Sequence, residues 1–228
     1  MIIALSETEQ HYLKTIYLLQ KETGQVTTRQ LAERLGIRPA SVSAMIKHLA
    51  EDEEGAYVAH TPYQHIELTG RGRSVAIELV RHQRLLELFF VTTLDMPWDE
   101  VRAEAERLAP IISENLEEYI AKKLGNPSRD PHGDPIPTPE GVIDDADDIQ
   151  FSSLDTGTRA LVVRVPDDEP ELLRYLASLG ITPGSWITLE NRAPYGDILM
   201  VRSSTISQPL AGEIARQILV SASSCQKP

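Results

Sequence analysis

The chain has 228 residues, 22 of them Lys or Arg against 34 Asp or Glu, for a formal net charge of −12, and a single cysteine, Cys225. The length suits one or two domains with real cores, while one thiol excludes an internal disulfide or a thiolate cluster and fits a reducing cytoplasm. No apolar stretch nears the ~20 residues of a membrane helix, and MIIALSETEQ has neither the basic start nor the apolar run of a signal peptide, so no membrane partner is expected.

Residues 6–20, SETEQHYLKTIYLLQ, open on Ser6 with Glu9 three places later, a capping box. Tyr12, Ile16 and Leu19 form one apolar stripe that Leu13 and Tyr17 widen. A short helix over 29–35 stops at Gly36, and a turn through Ile37 and Arg38 leads to Pro39, which suits the first turn of a helix because its missing N–H costs nothing there. The next helix runs to about Asp52, with Val42, Ile46 and Leu49 on one apolar face. Small or hydrogen-bonding residues occupy its other side, as a helix entering a major groove requires. Two β-like runs, 56–60 and 65–68, flank the sequence TPYQ. Helix, turn, helix and hairpin together predict a winged helix-turn-helix over residues 1–73. Double-stranded DNA is the expected partner, touched by Thr28, Arg38, Pro39, Ala40, Ser41, Ser43, Ala44 and Lys47, with Tyr63 and Gln64 as contacts from the wing.

The charge is uneven. Residues 1–73 carry 8 Lys and Arg against 9 Asp and Glu, residues 74–228 carry 14 against 25. Phosphate contacts normally dominate affinity for DNA, so the acidic remainder has to be offset, and a divalent cation would do so; plain solubility explains the same surface.

A long helix is predicted over 70–91. Its later part, LVRHQRLLELFFV, is apolar on most sides and suggests packing against a second subunit as well as the core. DMPW at 95–98 opens another helix to about Leu124, kinked at Pro110. Residues 125–153 read as a structured loop, NPSRDPHGDPIPTPEG, and then an acidic linker. His132, between Pro131 and Gly133, reads as a loop-packing residue. Short strands around one small helix, from Thr158 to the final run PLAGEIARQILV, predict a small β-barrel. The fold class is mainly α with small β. A helical metal-binding and dimerisation domain over 74–140 and a linker over 141–153 lead to the barrel over 154–228.

HYLKTIY in the first helix, the reading helix PASVSAMIKHL, the RLLELFF run and LGNPSRDPHGDPIP resemble the diphtheria toxin repressor family of iron- and manganese-dependent regulators, over nearly the whole chain. The resemblance implies that the barrel is SH3-like and FeoA-like, that a homodimer grips a palindromic operator, and that metal orders the N-terminal helix. It places the family's first ligand on His11. A Cys or Glu on the dimerisation helix falls on Glu106, but the Glu-His pair that follows falls on Ala109-Pro110. The family's His-x3-Glu falls on Gln83 and Glu87, with His82 one place early, and a further family histidine falls on Arg102. A barrel ligand is expected in 167–171, near Glu169. A shifted site using His82 with His11 and Glu106 is an alternative, since Glu78 and His82 share a helix face, although a lone histidine on an apolar helix is more often a core residue.

The expected function is a dimeric DNA-binding repressor gated by Mn²⁺ or Fe²⁺, because oxygen donors with one or two imidazoles and no thiolate favour those ions. The alternative keeps the winged-helix dimer and drops the metal gate. A metal-dependent hydrolase is the reading from another class, but no HExxH, nucleophile elbow or phosphate loop is present, and no enzyme is expected.

Overall fold

The structure, a computed structural model, describes residues 5–51, 55–60, 65–144, 148–204 and 206–226. They divide into two compact units: Met1–Leu86 with Ala105–Ile120 and Pro137–Val142, and Glu87–Glu104 with Ala121–Ile136 and Ile143–Pro228.

In the first unit, α1 (Glu7–Thr23) starts at the expected capping box, where Ser6 Oγ accepts from the Glu9 N–H and Glu9 accepts in return from the Ser6 N–H. α2 (Thr28–Leu35) repeats the device with Thr27 and Gln30, and Gly36 ends it in the left-handed conformation. α3 (Pro39–Ala50) follows with proline in its first turn. Val42, Ile46 and Leu49 are buried, as are Leu13, Ile16, Leu31 and Ile66 of the neighbouring elements. Strands β1 (Val58–His60) and β2 (Ile66–Leu68) pair antiparallel, Val58 opposite Leu68 and Ala59 opposite Glu67. The wing tip, with the expected contacts Tyr63 and Gln64, lies outside the described residues. Gly72 lets the next helix start against this hairpin, since a Cβ there would come within 2.0 Å of the Tyr57 carbonyl oxygen.

That helix, α4 (Gly70–Leu94), runs three residues past the expected end. The single kinked helix expected from Asp95 to Leu124 is instead two, α5 (Val101–Leu108) and α6 (Glu114–Lys123). Pro110 lacks an N–H and its ring collides with the carbonyl one turn back. The helix therefore breaks, and Ser113 restarts it by accepting from the Leu116 N–H. In the LLELFF run Leu85, Leu86 and Phe90 are buried within the chain itself, as the core half of the expectation requires, while Leu88 and Phe89 are half-buried. Exposed apolar surface also lies on α5, α6 and the turn between them, at Leu108, Ile111, Leu116 and Tyr119.

The second unit carries a six-stranded sheet in the order β3-β8-β4-β5-β6-β7, formed by β3 (Asp148–Gln150), β4 (Arg159–Arg164), β5 (Trp186–Arg192), β6 (Ile198–Ser203), β7 (Ile206–Ala211) and β8 (Leu219–Ser221). α7 (Pro170–Ser178) and α8 (Gly212–Gln217) close it around Phe151, Val162, Leu173, Leu176, Ile187, Val201 and Val220. The end of the expected linker belongs to this barrel. β3 pairs with β8 and Phe151 is fully buried, because two isolated apolar residues suffice for a three-residue strand while leaving the composition polar. The final run PLAGEIARQILV, expected as one amphipathic segment, divides among the end of β7, α8 and β8.

Candidate nucleic-acid interface and metal centre

α3 presents Arg38, Pro39, Ala40, Ser41, Ser43, Ala44 and Lys47 on its exposed side while Val42, Ile46 and Leu49 anchor it. Thr28, half-buried, opens α2. Ser43 Oγ bonds back to the Pro39 carbonyl, and Lys47 sits 3.9 Å from Glu51 in an exposed pair, a contact weak enough to yield to a phosphate. On the same helix His48 Nε2 is 2.7 Å from Glu9 Oε1, which ties α3 to the first turn of α1. The result is a supported helix with a small-residue, hydrogen-bonding face.

The family's expected metal positions part into two groups. In the first unit, Lys14 is buried, and its ammonium donates to Gln83 Oε1 at 2.8 Å and to Glu106 Oε1 at 2.5 Å. Two expected ligands are thus bound to a fixed cation of the chain. His11 is exposed on α1, three residues before Lys14; partial burial of its ring and the charge of Lys14 lower its pKa, against the opposite pull of Glu106. His82 is not brought to Glu106. It is buried, with Nδ1 2.9 Å from the Ala109 carbonyl oxygen and Nε2 3.0 Å from Glu117 Oε2, so it is a core histidine joining α4 to α6 and to the residue that follows α5. A cavity of about 950 Å³ opens beside them, lined by Leu5, Glu78, His82, Pro110 and Ile112 among others. Ala109 and Pro110 offer no side-chain donor, and the residues left do not fit a divalent ion.

The second unit gathers a different set. Glu87 from α4 and Asp130 and His132 from the loop after α6 are all buried, and one ligand atom from each lies within 4.8 Å of the others. Among the described residues no other three His, Cys, Asp or Glu meet in this way. His132 Nε2 is 2.8 Å from the Trp98 carbonyl oxygen, and the ring stacks on Trp98 with centroids 5.5 Å apart. With that N–H donated, Nδ1 carries the ligand lone pair when the ring is neutral. Nδ1 is buried with no hydrogen-bond partner, 3.7 Å from Glu87 Oε2 and 4.0 Å from Asp167 Oδ2. Burial alone would lower the imidazole pKa, but Glu87, Asp130 and Asp167 outweigh it and raise it to about 9.

Local backbone chemistry holds this loop. Asp130 Oδ1 accepts from the N–H groups of His132 and Asp134, both at 2.9 Å. The His132 carbonyl accepts from Val165 N–H at 3.0 Å. Gly133, at φ +93°, lies so close to β4 that a Cβ would sit 1.8 Å from the Val163 carbonyl oxygen. Adjacent octahedral ligands at ~2.1 Å from a hard cation lie roughly 3 Å apart and opposed ones about 4 Å, and the 3.7 Å between His132 Nδ1 and Glu87 Oε2 falls in that range. The family's histidine position holds Arg102, whose guanidinium bonds Asp167 and reaches Asp168 at 3.1 Å. Those carboxylates and Glu87 raise its pKa against the effect of burial. Glu169, the expected barrel ligand, is exposed at the start of α7, and Asp167 is the barrel carboxylate nearest His132. The sequence reading of His132 as a loop-packing residue agrees with its burial and its stacking on Trp98; its proximity to Glu87 and Asp130 was not legible, because the loop returns to α4 only in the fold.

Comparison with known proteins agrees with this layout. Residues 4–66 match the iron dependent repressor N-terminal DNA binding domain, 69–138 the iron dependent repressor metal binding and dimerisation domain, and 149–222 the FeoA domain. The iron-dependent repressor of Mycobacterium tuberculosis is 32% identical, over 95% of this chain and 97% of its own. The diphtheria toxin repressor of Corynebacterium glutamicum is also 32% identical, over 69% and 66%. Among solved structures, a manganese-dependent transcriptional repressor in complex with manganese superposes with a TM-score of 0.84 at 36% identity, covering 93% of this chain and 99% of its own. The repressor ScaR with bound Cd²⁺ reaches 0.79 at 25% identity, covering 96% and 99%. With domain models along most of its length and a relative 32% identical over 95% of it, the chain belongs to the iron-dependent repressor family.

Proposed function

We propose that this protein is a homodimeric repressor that reads a palindromic operator with α3 and is gated by Mn²⁺ or Fe²⁺ held by Glu87, Asp130 and His132. The observation that carries the metal site is the buried His132 Nδ1, without a hydrogen-bond partner and turned toward Glu87 and Asp167. Two oxygen donors and one imidazole, with no thiolate, suit Mn²⁺ or Fe²⁺ better than Zn²⁺ or Cu⁺. A bound divalent cation supplies positive charge to a carboxylate cluster in a chain whose net charge is −12, which reduces the repulsion a DNA backbone meets. The protein's own part is to hold the donors: Trp98 fixes the His132 tautomer, Asp130 rigidifies the turn, and Val165, just after β4, pins the loop through its N–H. The operator contacts are Arg38, Ser41, Ser43 and Lys47, supported by Thr28, Pro39, Ala40 and Ala44. The apolar surface of Leu108, Ile111, Leu116 and Tyr119 is the dimer face.

Fluorescence anisotropy with a duplex selected from random sequence tests the reading. Mn²⁺ is expected to tighten binding about tenfold over chelator, which requires ~1.4 kcal/mol of coupling. Ser41→Glu is expected to weaken DNA binding by about tenfold to a hundredfold under both conditions, by setting an anion against phosphates. Equal wild-type affinity in chelator and in excess Mn²⁺ or Fe²⁺ would favour the ungated alternative.

A further inference from the structure

The junction of α1 with α4 and α5 is closed by a charge that belongs to the chain. Lys14 is buried on α1 one turn after Gln10 and His11, and its ammonium reaches Gln83 on α4 and Glu106 on α5. Lysine is almost never so buried unless paired, and here both partners are positions that the family pattern assigns to metal ligands. The remaining family positions agree. Ala109 and Pro110 have nothing to coordinate with, and the Ala109 carbonyl is already occupied by His82. A divalent ion would find the exposed His11, a neutral amide and one carboxylate, with an ammonium in direct contact with two of the three. Like charges at that range repel strongly in a partly buried site.

We propose that the Lys14 ammonium is the resident cation of this junction, standing where the family pattern reserves a metal ion, so that α1 is fastened to α4 and α5 by a fixed charge and needs no metal there. The consequence is a division of labour: the N-terminal helix is ordered constitutively, and any response to metal has to arise elsewhere in the chain. This inference rests on the family assignment and not on the site at Glu87, so either can fail alone.

Amide hydrogen exchange along α1, read by mass spectrometry on the full chain, tests it. In the wild type, protection of α1 is expected to be the same in chelator and in saturating Mn²⁺. Lys14→Met, which keeps the length of the side chain and removes the charge, is expected to speed exchange in the first turns of α1 about tenfold, the scale of a lost charged hydrogen bond. Mn²⁺ should not reverse that loss, and Lys14→Arg should restore protection. Glu106→Gln, which retains an acceptor for the ammonium, serves as the milder variant with a smaller change of the same sign. The proposal is overturned if Mn²⁺ protects wild-type α1 about tenfold or more, a coupling of ~1.4 kcal/mol, or if Lys14→Met leaves α1 exchange unchanged. A wild type that binds no Mn²⁺ yet keeps α1 protected would refute the metal site of the previous section and leave this inference standing.

Discussion

The Lys14 cluster and the His132 cluster are built from the same kinds of side chain, yet one is closed and the other open. Around Lys14 the contacts are hydrogen bonds of 2.5 and 2.8 Å, and the cation is covalently part of the protein. Around His132 the nearest carboxylate oxygens stand 3.7 and 4.0 Å from Nδ1, too far to bond it and well placed to share a third atom. A carboxylate near a helix therefore says little about metal until the position of the nearest ammonium or guanidinium is known. In this chain basic residues mark both clusters: Lys14 bonds Glu106, while Arg102 bonds Asp167 and reaches Asp168.

Arg102 offers the sharper way to press this contrast. Replacing it in Arg102→Gln removes a guanidinium from beside Glu87 and Asp167. Mn²⁺ affinity, measured by calorimetry, is expected to rise about tenfold, the effect of one nearby charge at an intermediate dielectric. A fall instead would mean that Arg102 organises the ligands and that the two clusters are less different than their geometry says.

A smaller effect concerns pH. The folded His132 pKa, about 9, lies above the ordinary value of 6.5, so in the metal-free protein the imidazolium contributes stability that is fully present below pH 6.5 and is lost as pH rises through about 9. Metal needs the neutral ring, so Mn²⁺ affinity should climb over the same window. The His132 ring signal in a proton NMR titration, with melting temperatures in chelator, checks both. A midpoint at or below 6.5 would show that Glu87 and Asp167 do not act on this ring.

How far the sequence could be read follows the same division. The helices of the reading head were legible in the sequence, because Ser6, Gly36 and Pro39 act within a few residues of themselves and Val42, Ile46 and Leu49 keep helical spacing; the Thr27 cap was not noticed. Pro110 was recognised as a disturbance but not as a break, since whether a helix kinks or restarts depends on a partner for the freed groups, here Ser113. β3 and Phe151 hid in an acidic stretch because their pairing with β8 is remote in sequence. Lys14 was overlooked inside HYLKTIY, where one lysine passes for a surface residue, and only the return of α4 and α5 reveals its partners. The meeting of His132 with Glu87 was hidden for the same reason, since Glu87 lies forty-five residues earlier.

The most direct test of the account is a paired comparison: DNA affinity in chelator and in Mn²⁺ for the wild type, Glu87→Gln and Glu106→Gln. Glu87→Gln is expected to lose the Mn²⁺ enhancement altogether, with Mn²⁺ affinity itself down by about a hundredfold, at the upper end of what loss of a metal-supporting group costs. Glu106→Gln is expected to keep the wild-type ratio of the two affinities. The opposite pattern, enhancement lost in Glu106→Gln and kept in Glu87→Gln, would contradict the account and place the metal response at the junction that Lys14 closes.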